Sequence, residues 1–137
     1  MAATSDAWRY IAPSKDGLVK FYVDPKSITT HGSTRMARVL YDYQEPQQDP
    51  DTLVVNRSTV AVMLIDCQGA KLAGLQQVEY AESMAGGKVV RRVFNLARSQ
   101  SQTLADADAQ FVAAKPGTPD DDVVKYVCRV ATRAATR

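Results

Sequence analysis

The chain is poor in the residues from which chemical sites are built. It has one histidine, one tryptophan and two cysteines among 137 residues. Two cysteines far apart in sequence cannot form a CxxC redox motif or a four-ligand zinc site, because spacing and ligand count both fail. The acids that lie close together, Asp49/Asp51 and Asp106/Asp108, do not fit the spacing of a calcium loop. His31 lies in Thr29-Thr30-His31-Gly32-Ser33, a turn composition, and no nucleophile elbow or other local signature marks a serine to partner it. Gly86-Gly87-Lys88 lacks the spacing of a phosphate-binding loop and leads into a strand pattern rather than a helix. The expectation is no enzyme, no metal and no cofactor.

Charge of one sign is also lacking. Seventeen Lys and Arg against fifteen Asp and Glu leave a formal charge of +2, too small an excess for a dedicated nucleic-acid binder. The longest apolar run is Val60 to Ile65, a strand's length, whereas a membrane-spanning helix needs about 20 residues. Met1 to Asp6 has neither a basic segment nor an apolar one and is not a signal peptide. Residues 1–6 read as a disordered tail, and an exported protein would be met here after removal of its leader.

What remains is a globular composition, 45% apolar and 23% charged, of a size for one domain over residues 7–137. Trp8 to Ala12 reads as a first strand stopped by Pro13. Leu18 to Val23 alternates with period two and is broken by Asp24-Pro25. Thr34 to Tyr43 alternates likewise, with Ala37, Val39, Tyr41 and Tyr43 on one face, before a polar loop over Gln44 to Thr52. Val54 to Asp66 holds the all-apolar run, so it is placed centrally and covered on both faces. Lys71 to Tyr80 and Lys88 to Leu96 complete five or six antiparallel strands, the last two joined by a tight Gly86-Gly87 hairpin.

Beyond Ala97 the period changes. Leu104, Ala107, Phe111 and Ala114 recur at helical spacing and predict a short helix ended by Lys115-Pro116-Gly117. Thr118-Pro119-Asp120-Asp121 is a helix start, with Thr118 as N-cap, Pro119 at the first position and Asp121 at the capping-box position. From Asp122 to Arg137, Val123, Val124, Val127, Cys128, Val130 and the alanines fall on one arc of about 160°. Lys125, Arg129, Arg133 and Arg137 repeat every four residues on the opposite face. That stripe is a candidate docking surface for an acidic protein, a heparin-like glycan or lipid headgroups. It is equally a solvated face whose late cations suit the negative helix end, with Asp121 pairing to Lys125. Lys88, Arg91 and Arg92 form a second cluster, but Arg91 and Arg92 alternate faces.

Cys67 ends the central strand and Cys128 lies at the edge of the helix's apolar arc. Two readings are open: one structural disulfide in an oxidising compartment, or two unrelated thiols in a reducing one. A helix laid across the sheet could bring the sulfurs together. A bridge closing a loop of about 60 residues would be worth on the order of 4 kcal/mol.

The order Trp8…Tyr22-Val23-Asp24-Pro25…Ser27-Ile28, Arg38 to Tyr43, Ser58, Asp66-Cys67, Tyr80, Gly87 to Val90 and Val127-Cys128 resembles the surface-adhesin protein E-like family. Phe94 departs from it, standing where a second Trp is common, and Ser99 to Gly117 is longer than the usual connection. The resemblance implies an exported bacterial envelope protein, often a lipoprotein, of the periplasm or outer-membrane surface. It implies an α+β fold in which a C-terminal helix packs on one face of an antiparallel sheet, tied by a Cys67–Cys128 disulfide. Function is then expected to be non-enzymatic binding of an extracellular host protein. The alternative is a periplasmic subunit or immunity-type partner of an envelope complex.

Overall fold

The computed structural model describes residues 8–94 and 111–130. Six strands follow one another as an antiparallel meander: β1 (Arg9–Pro13), β2 (Val19–His31), β3 (Thr34–Gln48), β4 (Val55–Asp66), β5 (Lys71–Glu82) and β6 (Gly86–Phe94). A two-residue strand, β7 (Val112–Ala113), pairs with β5 at Lys71 and Leu72. Among the described residues there is one α-helix, α1 (Pro119–Arg129), which packs on the sheet. The α+β architecture and its strand count agree with the periodicity of the sequence. The tail expected over residues 1–6 and the start of the helix expected around Leu104 and Ala107 lie outside the described residues.

Register explains why the middle of the sheet is apolar on both faces. Val23, Val39 and Ala61 stand side by side on β2, β3 and β4, facing α1. Ala37, Met63 and Ile65 continue that layer, and Val123, Val124 and Val127 close it from the helix. Leu40 and Val60, each one residue along, point to the opposite face and are covered by Trp8. Leu64 on that face packs with Ala73, Leu75 and Phe111. Burying a valine or leucine stabilises by about 1.5–3 kcal/mol, so a central β4 sealed on both sides is the chief apolar contribution to the fold.

Several elements differ from expectation because contacts between residues distant in sequence override the local pattern. Asp24-Pro25 does not end β2. The register shifts between Asp24 and Thr29, and Ser27 bridges the gap: its Oγ donates to the Asp24 carbonyl (2.7 Å) and accepts from the Arg38 amide (2.9 Å). A proline is tolerated at such a bulge because no ladder bond is asked of it. β3 runs on to Gln48 after a second irregularity between Asp42 and Gln47, so part of the expected polar loop is strand.

The β5–β6 connection is a 3-10 turn, Ser83–Ala85, rather than a Gly86-Gly87 hairpin. Met84 and Ala85 take left-handed φ values of 57° and 59°, and of the two glycines only Gly87 (φ 72°) does. The unfavourable backbone is offset by capture of the turn. Ser58 Oγ donates to the Glu82 carbonyl (2.5 Å) and accepts from the Ala85 amide (2.9 Å), and Asp42 Oδ1 accepts from the Met84 amide (2.8 Å).

The helical spacing through Phe111 and Ala114 also fails at its described end. Val112–Ala113 is strand, and the Ala114 amide donates to the Ala70 carbonyl (2.9 Å). In an extended chain a three-residue step puts Phe111 and Ala114 on opposite faces, and they join different apolar clusters.

Candidate functional site: the cleft between the first strand and the helix

The helix start is built as its sequence predicts. Thr118 Oγ1 accepts from the Asp121 amide (3.3 Å), Pro119 occupies the first turn, and three aspartates sit at the positive end of the dipole. The reciprocal half of the capping box is absent. The Thr118 amide donates to the Lys115 carbonyl, and the Asp121 carboxylate pairs with Lys125 at 3.0 Å. That i,i+4 pair was the structural reading of the stripe, and it holds for Lys125.

The helix is shorter than the Asp122 to Arg137 wheel. It ends at Arg129, and Val130 is an extended C-cap. Arg35, from β3, explains the stop: its Nη1 donates to both the Val127 and Val130 carbonyls at 2.6 Å. A buried-side cation thus satisfies carbonyls that a longer helix would have bonded internally. One residue before that end, Cys128 is bonded to Cys67, with Sγ–Sγ 2.06 Å and Cα–Cα 5.7 Å. The disulfide therefore pins the end of α1 to the end of β4, as the resemblance implied.

Of the stripe, Lys125 and Arg129 are exposed on the outer side of α1. Arg133 and Arg137 lie outside the described residues. The fold adds a cation that the stripe did not include. β1 runs beside the helix, and the two enclose a cleft of about 330 Å³. Arg9 to Ile11 form one wall; Asp122, Lys125, Tyr126 and Arg129 form the other. The Arg9 and Arg129 guanidinium carbons lie 5.8 and 5.9 Å from the centroid of the same Tyr126 ring. No linear signal joins Arg9 to the stripe, because their proximity depends on β1 being the edge strand beneath the helix.

The other candidates are placed elsewhere. His31 is in the β2–β3 hairpin, hydrogen-bonded to Thr29 Oγ1 at 2.8 Å. Arg91 is engaged by Asp49 and Glu79, both at 3.1 Å, while Arg92 points to the other face. This ties the tip of the β3–β4 hairpin across the sheet to β6. Beneath the hairpin is a polar cup of about 210 Å³ whose groups largely satisfy one another. Tyr43 and Asn56 both donate to Thr59 Oγ1 at 3.1 Å, and burial raises the Tyr43 hydroxyl pKa. In the α1–β1 cleft, by contrast, Arg9 and Arg129 have no carboxylate partner among the described residues.

Comparison with known proteins agrees with this architecture. The chain superposes on a structure of Haemophilus influenzae protein E with a TM-score of 0.57 and 15% identity, covering 87% of this chain and 83% of that one. A second crystal form of the same protein gives 0.58 and 15%, covering 87% and 86%. Protein E from non-typeable H. influenzae gives 0.55 and 16%, covering 87% and 74%. At such identity the likeness establishes the fold. No curated protein matches the sequence. The profile of surface-adhesin protein E matches residues 8–129, from the tryptophan that covers Leu40 to the last residue of α1, and the chain belongs to that family of adhesin-like surface proteins.

Proposed function

We propose that the chain is a non-enzymatic adhesin domain, spanning residues 7–137, of an exported bacterial envelope protein that attaches to an extracellular host protein. The observation that carries this reading is the outward basic face of α1. Val123, Val124 and Val127 are spent on the core, whereas Arg129 and the neighbouring Arg9 have no structural partner other than the Tyr126 ring among the described residues. Two cations held side by side repel each other and favour an anionic partner. Lys125, Arg129, Arg133 and Arg137 are the proposed contact residues. A disulfide between helix and sheet suits an oxidising compartment, in keeping with export to the periplasm or the outer-membrane surface.

The test is surface plasmon resonance of the oxidised protein over a panel of immobilised extracellular-matrix and plasma proteins. Saturable binding is expected to at least one, weakening as salt rises and falling about tenfold or more in Lys125→Glu/Arg129→Glu. Absence of binding across the panel, with one tight partner recovered from the cell's own envelope extract, would replace the adhesin by a subunit of an envelope complex.

A further inference from the structure

The cleft between β1 and α1 has features that specify its ligand more narrowly than positive charge alone. Arg9 and Arg129 both stand over the Tyr126 ring, so their guanidinium carbons are no more than about 12 Å apart. Neither has a described carboxylate within salt-bridge distance, whereas Lys125 is held by Asp121. Asp122 in the same wall keeps the cleft from being uniformly cationic. The free charges are therefore two planar forks, which bind oxyanions bidentately, held about one aromatic ring.

β1 is the edge of the sheet, but it is poorly suited to accept another strand. It has five residues, its register skips at Ile11, and it ends in Pro13. Short length, a bulge and a proline are the devices that prevent strand addition. An extended peptide laid in the cleft would find no regular main-chain ladder. Recognition has to come from side chains, through anionic substituents at the two forks.

On these grounds, and resting on the adhesin reading above, we infer that the α1–β1 cleft is a subsite for a sulfated glycan chain, with Arg9 and Arg129 binding its anionic groups and Tyr126 holding the two guanidinium groups in place. A glycan of this class carries repeated oxyanions along one chain, so it can engage both forks at once, and it needs no strand edge. Ile11 adds apolar surface to the wall of the cleft.

Fluorescence anisotropy with a labelled heparin hexasaccharide tests the assignment on the oxidised protein. Saturable binding is expected, reduced at least about tenfold in Arg9→Ala/Arg129→Ala. The double variant Lys88→Ala/Arg92→Ala, which removes equal charge from β6, should stay within about twofold of the native protein. Both arginines of the cleft are exposed, and far-UV circular dichroism checks that the variants fold. Equal losses in the two double variants would overturn the site in favour of diffuse charge attraction. A polyglutamate peptide binding as tightly as the hexasaccharide would overturn the ligand class in favour of an acidic protein segment.

The adhesin reading fails or survives separately. Binding to matrix proteins stripped of glycans, with no binding of the hexasaccharide, would sink the glycan subsite and leave the adhesin. Hexasaccharide binding without any protein of the panel would do the reverse.

Discussion

Arg35 Nη1 on β3 donates to the Val127 carbonyl in the last turn of α1, 92 residues along the chain. The same nitrogen donates to the Val130 carbonyl, so one guanidinium closes the helix and fastens it to the sheet. It also places positive charge at the negative end of the helix dipole. Arg35→Ala leaves two carbonyls without their charged donor. The expected loss is about 2–3 kcal/mol in urea unfolding. Arg35→Lys should recover part of it, since a point charge reaches the carbonyls without the fork. A midpoint unchanged in Arg35→Ala would mean that the cap is ornamental.

The disulfide acts on the same end of the helix from the other side. Cys67 and Cys128 are 61 residues apart, and opening that loop restores entropy to the unfolded chain. The double variant Cys67→Ser/Cys128→Ser should lose about 4 kcal/mol. Because Arg35 still holds the Val127 and Val130 carbonyls, the variant should keep helical circular dichroism below its lowered midpoint. Loss of the helix signal with the sheet intact would show that the bridge alone retains α1.

Ser58 is completely buried and holds the Ser83–Ala85 turn through both its donor and its acceptor. Ser58→Ala would leave the Glu82 carbonyl and the Ala85 amide without partners beneath two residues at positive φ. Each buried orphan costs about 1–3 kcal/mol, so a loss of about 2–4 kcal/mol is expected. Met84 and Ala85 pack in the cluster that contains Trp8, the sole tryptophan. Native-state tryptophan emission should therefore shift red in this variant. Unchanged emission and stability would remove Ser58 from its assigned role.

These relationships mark the boundary of what could be read in advance. The strands of the sheet were legible because their residues alternate, and β4 was recognisably central because Val60 to Ile65 is apolar at every position. The outer face of α1 was legible from its helical period, which sets Lys125 and Arg129 opposite the valines. Strand extents and turns were not, because Ser27, Asp42 and Ser58 replace backbone partners across the sheet, and local pattern carries no trace of such distant bonds. Those residues do stand within the ordered set that resembles the family, which is how their importance could be sensed without a mechanism. The cleft was half legible: Lys125 and Arg129 follow from the wheel, but Arg9 comes from the opposite end of the chain.

Alkaline stability should report Tyr41, whose ring packs edge-on against Phe21 with centroids 5.1 Å apart, facing the start of α1. Burial raises its hydroxyl pKa far above the ordinary tyrosine range, and the negative charges of Asp120 and Tyr43 add to the effect. An unfolded tyrosine releases its proton near pH 10, whereas the folded one keeps it. Above about pH 10 the unfolded state therefore binds fewer protons than the native state, and stability falls as pH rises; below that value the contribution is fully present. Tyr43 is raised as well, also by burial first, so the native protein should show a steep decline in thermal midpoint from about pH 10 upward. Tyr41→Phe removes the larger of the two contributions while keeping the ring. Its midpoint should fall less steeply with pH over the same interval, and tyrosinate absorbance should show one fewer group titrating only on unfolding. Parallel curves for the native protein and Tyr41→Phe would mean that the hydroxyl is open to solvent and that α1 does not seal this part of the sheet.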